Sequence, residues 1–118
     1  MKITKFGQEV RQARGQVKKT LMAMANDLGT SPAFLSAMET GRNKIPAPWV
    51  EKIDKYFKDL GVPIENLSKY ADAANENVSI SGLPLQHQLL VSGFAKSDFS
   101  QEDLQRIREF FENLYANR

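Results

Sequence analysis

Apolar residues recur along this chain in short helical stripes, punctuated by glycine, proline and capping hydroxyls. Phe6, Val10, Ala13 and Val17 stand four, three and four residues apart. That spacing predicts an amphipathic helix over Lys5 to Val17 with Thr4 as its cap. Gly15 is expected to weaken the last turn, so that the end frays into residues 16–19. Thr20 caps a second helix whose apolar face is Met24, Ala25 and Leu28, and Gly29 follows directly. A helix that stops there closes in the left-handed conformation, which glycine enters without a Cβ penalty. Ser31 caps a third helix, and Pro32 fits its first position, where no amide partner is needed. Leu35 and Met38 face inward from that helix. Ala25 leaves room for the steep helix crossing that so short a turn imposes.

Further on, Pro48 opens a fourth helix in which Trp49, Ile53, Phe57 and Leu60 share one face, and Gly61 stops it. Pro63 opens a fifth, with Ile64, Leu67, Tyr70 and Ala74 continuing the apolar face to about Asn75. The stretch 71–82, ADAANENVSISG, is small and polar and reads as a linker, although Val78 and Ile80 alternate with serine and would suit one short strand. Pro84 opens a helix bearing Leu85, Leu89, Leu90 and Phe94. Ser100 opens the last helix, with Asp103 as its reciprocal cap and Phe99 placed to staple onto Leu104. On it Leu104, Ile107, Phe111 and Leu114 follow heptad spacing, widened by Phe110 and Tyr115. Two helices of this size cannot bury both faces against each other, so either a second copy or the N-terminal domain covers the remainder; because a linker separates the units, the stripe is assigned to self-association. The pattern is all-α: a five-helix domain over residues 1–75, then a C-terminal helical oligomerisation or partner-binding segment over residues 76–118.

Counted from Leu21, alanine at position five (Ala25), glycine at nine (Gly29), leucine at fifteen (Leu35) and methionine at eighteen (Met38) resemble the helix-turn-helix of the Cro/CI (Xre-type) repressor family. The resemblance runs from Phe6 to about Leu67. GTSPAFLSAMETGR matches the family's turn, recognition helix and Glu-x-Gly ending, and LGVPIENL is similar to its fifth helix. It implies a lambda-repressor-like domain with base-reading positions at Pro32, Ala33, Ser36 and Ala37. The 100° step between residues also turns Ala33, Ser36, Ala37 and Thr40 outward from the helix Ser31 to Thr40. None is a long polar side chain, so the bidentate code for guanine and adenine is out of reach. That leaves apolar contact with thymine methyls and a weakly discriminating serine hydroxyl, with specificity coming either from DNA shape or from other residues reaching in. The family often places glutamine at the first residue of the second helix, where this chain has Leu21.

Glu39 lies beside the inward face, where an unpaired carboxylate is costly to desolvate. Arg14, one residue beyond the first apolar stripe, is the expected partner, and the resemblance implies the same structural ion pair. Arg42, Asn43 and Lys44 follow Gly41 in a loop. Together with Lys19 and Thr20 on the other side of the motif, they are the candidate phosphate contacts.

The net charge of +2 hides an asymmetry. Residues 1–60 carry eleven Lys or Arg against six Asp or Glu, a balance of +5; residues 61–118 carry five against eight, a balance of −3. A basic N-terminal half suits a phosphate backbone. The chain has no cysteine, which excludes disulfides and thiol chemistry, and no apolar run approaches the ~18 residues of a membrane span. A soluble cytoplasmic protein is expected. His87, the lone histidine, has no second ligand at helical spacing, so no metal site is expected. Glu102 and Asp103 complement a helix dipole, and there is no phosphate-binding glycine loop or nucleophile elbow; neither an enzyme nor a cofactor is expected. The expected function is a sequence-specific DNA-binding transcriptional regulator, a repressor acting as a dimer or higher homo-oligomer on a palindromic operator in double-stranded DNA. Two others stay open: an antitoxin-type autorepressor whose C-terminal segment binds a toxin protein, and a helical protein-interaction module without DNA binding.

Overall fold

Each hydroxyl that the sequence offers as a cap starts a helix. In the computed structural model of the protein, which describes residues 3–118, seven α-helices and no strand occur among the described residues. They are α1 (Lys5–Gln16), α2 (Leu21–Leu28), α3 (Pro32–Glu39), α4 (Ala47–Asp59), α5 (Leu67–Asn75), α6 (Leu85–Lys96) and α7 (Gln101–Ala116). The Thr4, Thr20 and Ser31 hydroxyls accept from Gly7 N, Ala23 N and Phe34 N at 3.0, 3.0 and 3.1 Å. The chain divides into two units, Met1–Ser79 and Ile80–Arg118.

The first unit has a continuous core. Phe6, Val10, Met24, Leu35, Met38, Ile53 and Phe57 are all but inaccessible, and Ile45, Ile64, Leu67 and Ala71 close its edges. Ala25 is fully buried where α2 meets α3. Between them Gly29 adopts φ 71°, ψ 36°. Nothing crowds that glycine, so the left-handed backbone rather than space is what selects it. The turn closes with Thr30 N donating to Ala25 O at 2.9 Å.

Several local expectations are corrected. The end of α1 does not fray: Val17 N and Lys19 N donate back to Ala13 O and Arg14 O at 3.2 and 3.0 Å, with Lys18 in the left-handed region between them. Leu60, on the same face as Ile53 and Phe57, is the C-cap at the end of α4 and is exposed. Pro63 does not open α5; Asn66, at φ 61°, breaks the helical path, and α5 starts at Leu67. Residues 71–75 belong to α5 rather than to a linker, and Val78 and Ile80 form no strand, having no neighbouring strand to pair with among the described residues.

The second unit has no interior. No residue of α6 or α7 is buried, and Leu85, Leu89, Leu90, Phe94, Phe110 and Tyr115 are exposed. Of the heptad stripe, Leu104, Phe111 and Leu114 are exposed and Ile107 is half-buried. The capping box forms as the sequence predicts, Ser100 Oγ accepting from Asp103 N at 3.0 Å and Asp103 Oδ2 from Ser100 N at 3.3 Å. Phe99 packs its ring on Phe94, 5.3 Å between centroids. No helix among the described residues is long and apolar enough to cross a membrane.

The tightest helix contact gives a paired prediction. A Cβ on Gly7 would fall on the backbone carbonyl of Glu39, whereas a Cβ on Gly15 meets nothing. Gly7→Ala should therefore destabilise the first unit by ~3 kcal/mol through overpacking against backbone. Gly15→Ala should stabilise it by ~0.5 kcal/mol through helix propensity. Urea melts of both variants check this; equal and small shifts would mean that α1 does not press on α3.

Candidate nucleic-acid interface

The site rests on how α3 is held. Eight residues do not sustain an isolated helix, so tertiary contacts have to fix it. Leu35 and Met38 supply the apolar ones, and Glu39, its last residue, supplies the ion pairs. The Glu39 carboxylate, 3% exposed, takes Arg14 Nη1 at 2.7 Å and Arg11 Nε at 2.9 Å. Its carbonyl oxygen takes Thr4 N at 3.1 Å and Thr4 Oγ1 at 3.0 Å. The structure thus brings Arg14 and Glu39 together, and it adds Arg11, three residues earlier on the same face of α1. The two arginines differ: Arg14 is 11% exposed and also lies against Met24 Sδ, whereas Arg11 is 46% exposed.

The rest of the α3 end is closed just as fully. Thr40 N and Thr40 Oγ1 both donate to Ser36 O, at 3.0 and 2.9 Å, and Asn43 N donates to Ala37 O at 3.2 Å. On the outer side, Ser31 and Ala33 are exposed, and Pro32, Ser36 and Thr40 are half-buried. Ala37 corrects the expected base-facing set. It is buried at 7% exposure beside Met38 and Glu39, because the loop folding back through Asn43 covers that side of α3.

The expected phosphate contacts separate into committed and free groups. Lys44, although exposed, donates from its ammonium to Asn75 O at 2.6 Å, a partner within the fold that the sequence did not suggest. The physical reason is the C-terminal end of α5, whose unsatisfied carbonyls attract a cation. Asn75 also brackets Ile45, accepting from its N at 2.8 Å and donating to its O at 3.0 Å. Lys19 is paired with Asp27 at 3.2 Å. Thr20 is exposed, and because its oxygen only accepts from the helix, its proton is left to donate outward. Arg42 and Asn43 are exposed. Among the described residues of 3–60, the Arg42 and Lys18 side chains are the only Lys or Arg side chains with no ion pair, hydrogen bond or ring contact. Lys18 was missed by sequence reasoning. The signal that finds it is structural: it follows the end of α1 with φ 55°, is exposed and has no side-chain partner. Leu21 is half-buried against the core and so takes no place at a phosphate.

A family model for the helix-turn-helix domain matches residues 5–67, more than half of the chain. The chain belongs to the helix-turn-helix domain family. Neither a curated protein nor a solved structure matches it. The match covers α1 through the start of α5, the same helices that the Glu39 contacts and the shared core bind together. Membership makes this a helix-turn-helix DNA-binding regulator in general terms, with α2 and α3 as the motif and α3 as its second helix.

Asp27 and Tyr56 lock α2 of the helix-turn-helix to α4. Tyr56 Oη donates to Asp27 Oδ2 at 2.6 Å. That bond, then Lys19, holds the Asp27 carboxyl below its ordinary value of 3.8, while burial, then Asp27 itself, pushes the Tyr56 phenol well above its ordinary 10.0.

Two predictions follow from these contacts. Arg14→Met, which leaves a buried carboxylate with one partner, should cost ~3 kcal/mol. Arg11→Met, at a half-exposed site, should cost under ~1 kcal/mol. Double-mutant cycles with Glu39→Gln check the ranking, and a larger coupling at Arg11 would reverse it. A depressed Asp27 contributes stability that is present above pH 3.8 and lost as pH falls through its folded value; a raised Tyr56 contributes stability present below pH 10.0 and lost as pH rises beyond it. The difference in melting temperature between the protein and Tyr56→Phe should therefore be flat from about pH 5 to about pH 9 and shrink at both extremes. A difference that ignores pH would show that the bond contributes nothing.

Proposed function

We propose that the protein is a sequence-specific DNA-binding transcriptional repressor of the Cro/CI (Xre) type, acting as a dimer on a palindromic operator in double-stranded DNA. The observation that carries this reading is the outer face of α3. It is small and accessible at Ser31 and Ala33 and is held from behind through Glu39, and unpaired, exposed cations stand in the segments before α2 (Lys18) and after α3 (Arg42). A face without bulk lets a helix lie deep in the major groove, with Pro32, Ala33, Ser36 and Thr40 toward the bases. Lys18, Thr20, Arg42 and Asn43 then meet phosphates and set the register. Repression needs nothing further than occupancy of the groove.

One motif reads one half-site, and two copies have to be held about 34 Å apart to reach successive major grooves. The second unit supplies the means. With no buried residue of its own, it gains an interior only by pairing, and Leu104, Ile107, Phe111 and Leu114 form the stripe through which we assign self-association. Tethering makes the second contact intramolecular, worth ~10²-fold or more in affinity.

The full chain should therefore scatter light as a dimer and bind a site selected from random duplexes ~10²-fold more tightly than a fragment ending at Ser79. If the full chain is monomeric and the fragment binds equally well, the apolar helices serve a foreign protein, and the antitoxin-type autorepressor replaces this reading. If neither binds duplex DNA at low salt, the helices form a protein-interaction module.

A further inference from the structure

Resting on the reading of α3 as the major-groove helix, we infer that the protein recognises its half-site through the C5-methyl groups of thymine, with Pro32 and Ala33 as the specificity-determining contacts. The argument is one of elimination among polar groups. No Arg, Lys, Asn or Gln stands on α3, so the bidentate pairs that read guanine or adenine have no source there. The hydroxyls on this helix are largely spent on its own backbone. Ser31 Oγ accepts from Phe34 N and Thr40 Oγ1 gives its proton to Ser36 O. Ser31 keeps its proton and Ser36 its whole hydroxyl, and a lone hydroxyl suits either kind of base edge.

Of the long side chains that would reach in from elsewhere, Lys18, Arg42 and Asn43 are exposed and are assigned above to phosphates, and the others have partners within the fold. Arg11 and Arg14 are held by Glu39, Lys19 by Asp27 and Lys44 by Asn75 O. What α3 offers from its first turn, where recognition helices contact base edges, is a pyrrolidine ring and a methyl group. The thymine methyl is the apolar group that the major groove presents to such a surface. Burying one methyl is worth about fourfold in affinity, so a half-site with two contacted thymines gains about sixteenfold over its demethylated form.

The test uses the full chain and a duplex selected from a random pool, compared with two analogues of that duplex. One carries deoxyuridine for thymine, which deletes only the methyl groups; the other carries 7-deazapurines, which delete the N7 acceptors. The uridine duplex should bind about fourfold more weakly for each contacted methyl, and the deazapurine duplex within about twofold of the parent. Ala33→Gly should narrow the thymine-to-uridine ratio. That ratio compares two duplexes on one protein sample, so it does not depend on how much of the variant is folded. Full affinity for the uridine duplex with loss on the deazapurine duplex would overturn the inference and leave groove reading by α3 intact. A pool from which no duplex is enriched would overturn both.

Discussion

The carboxylate of Glu39 is the point on which the first unit depends. A charged group at 3% exposure is destabilising unless it is fully engaged, and two guanidinium groups from α1 engage it at 2.7 and 2.9 Å. The same residue's carbonyl takes both donors of Thr4, whose oxygen in turn caps α1 at Gly7 N. The end of one helix and the start of another are thus closed by a single set of bonds, and only glycine at position 7 leaves room for the approach. With α3 too short to persist alone, its orientation in the molecule is set by this cluster together with the core contacts of Leu35 and Met38.

That arrangement changes the meaning of the charge. The balance of +5 over residues 1–60 already subtracts its carboxylates, but several of the cations behind it have partners within the fold. Arg11 and Arg14 neutralise Glu39, Lys19 joins Asp27 and Tyr56 between α2 and α4, and Lys44 closes the end of α5. Cations that serve as structural partners do not release counterions from DNA. On the proposed reading, the cations left free to meet phosphate are few, Lys18 and Arg42 among them.

The second unit obeys a different constraint. Its helices are well terminated locally, by the Ser100 and Asp103 box and by Pro84 ahead of α6. Yet Leu89, Leu90, Phe94 and Phe110 remain in solvent. Local signals make helices; only a second surface makes a core. Such a segment is specified as secondary structure without an interior of its own.

The sequence by itself determined the helices and the motif. Caps at Thr4, Thr20, Ser31 and Ser100, the left-handed Gly29 and the 3.6-residue stripes all act over a few residues, so they are legible one residue at a time. The pairing of Arg14 with Glu39 was legible for a related reason: a carboxylate on an apolar face demands a partner, and few arginines were placed to provide one. Only the tertiary structure decided which side of α3 stays open. Ala37 is an outward residue on a helical wheel, but the loop returning through Asn43 covers it. Lys44 follows the motif as a phosphate ligand would, but it lies within reach of a helix end thirty-one residues later. Asn66 breaks the helix that Pro63 would have opened. In each case a contact or a backbone rotation outside the local pattern overrode a locally reasonable choice, because the free energy of a side chain is set by whatever the folded chain brings beside it.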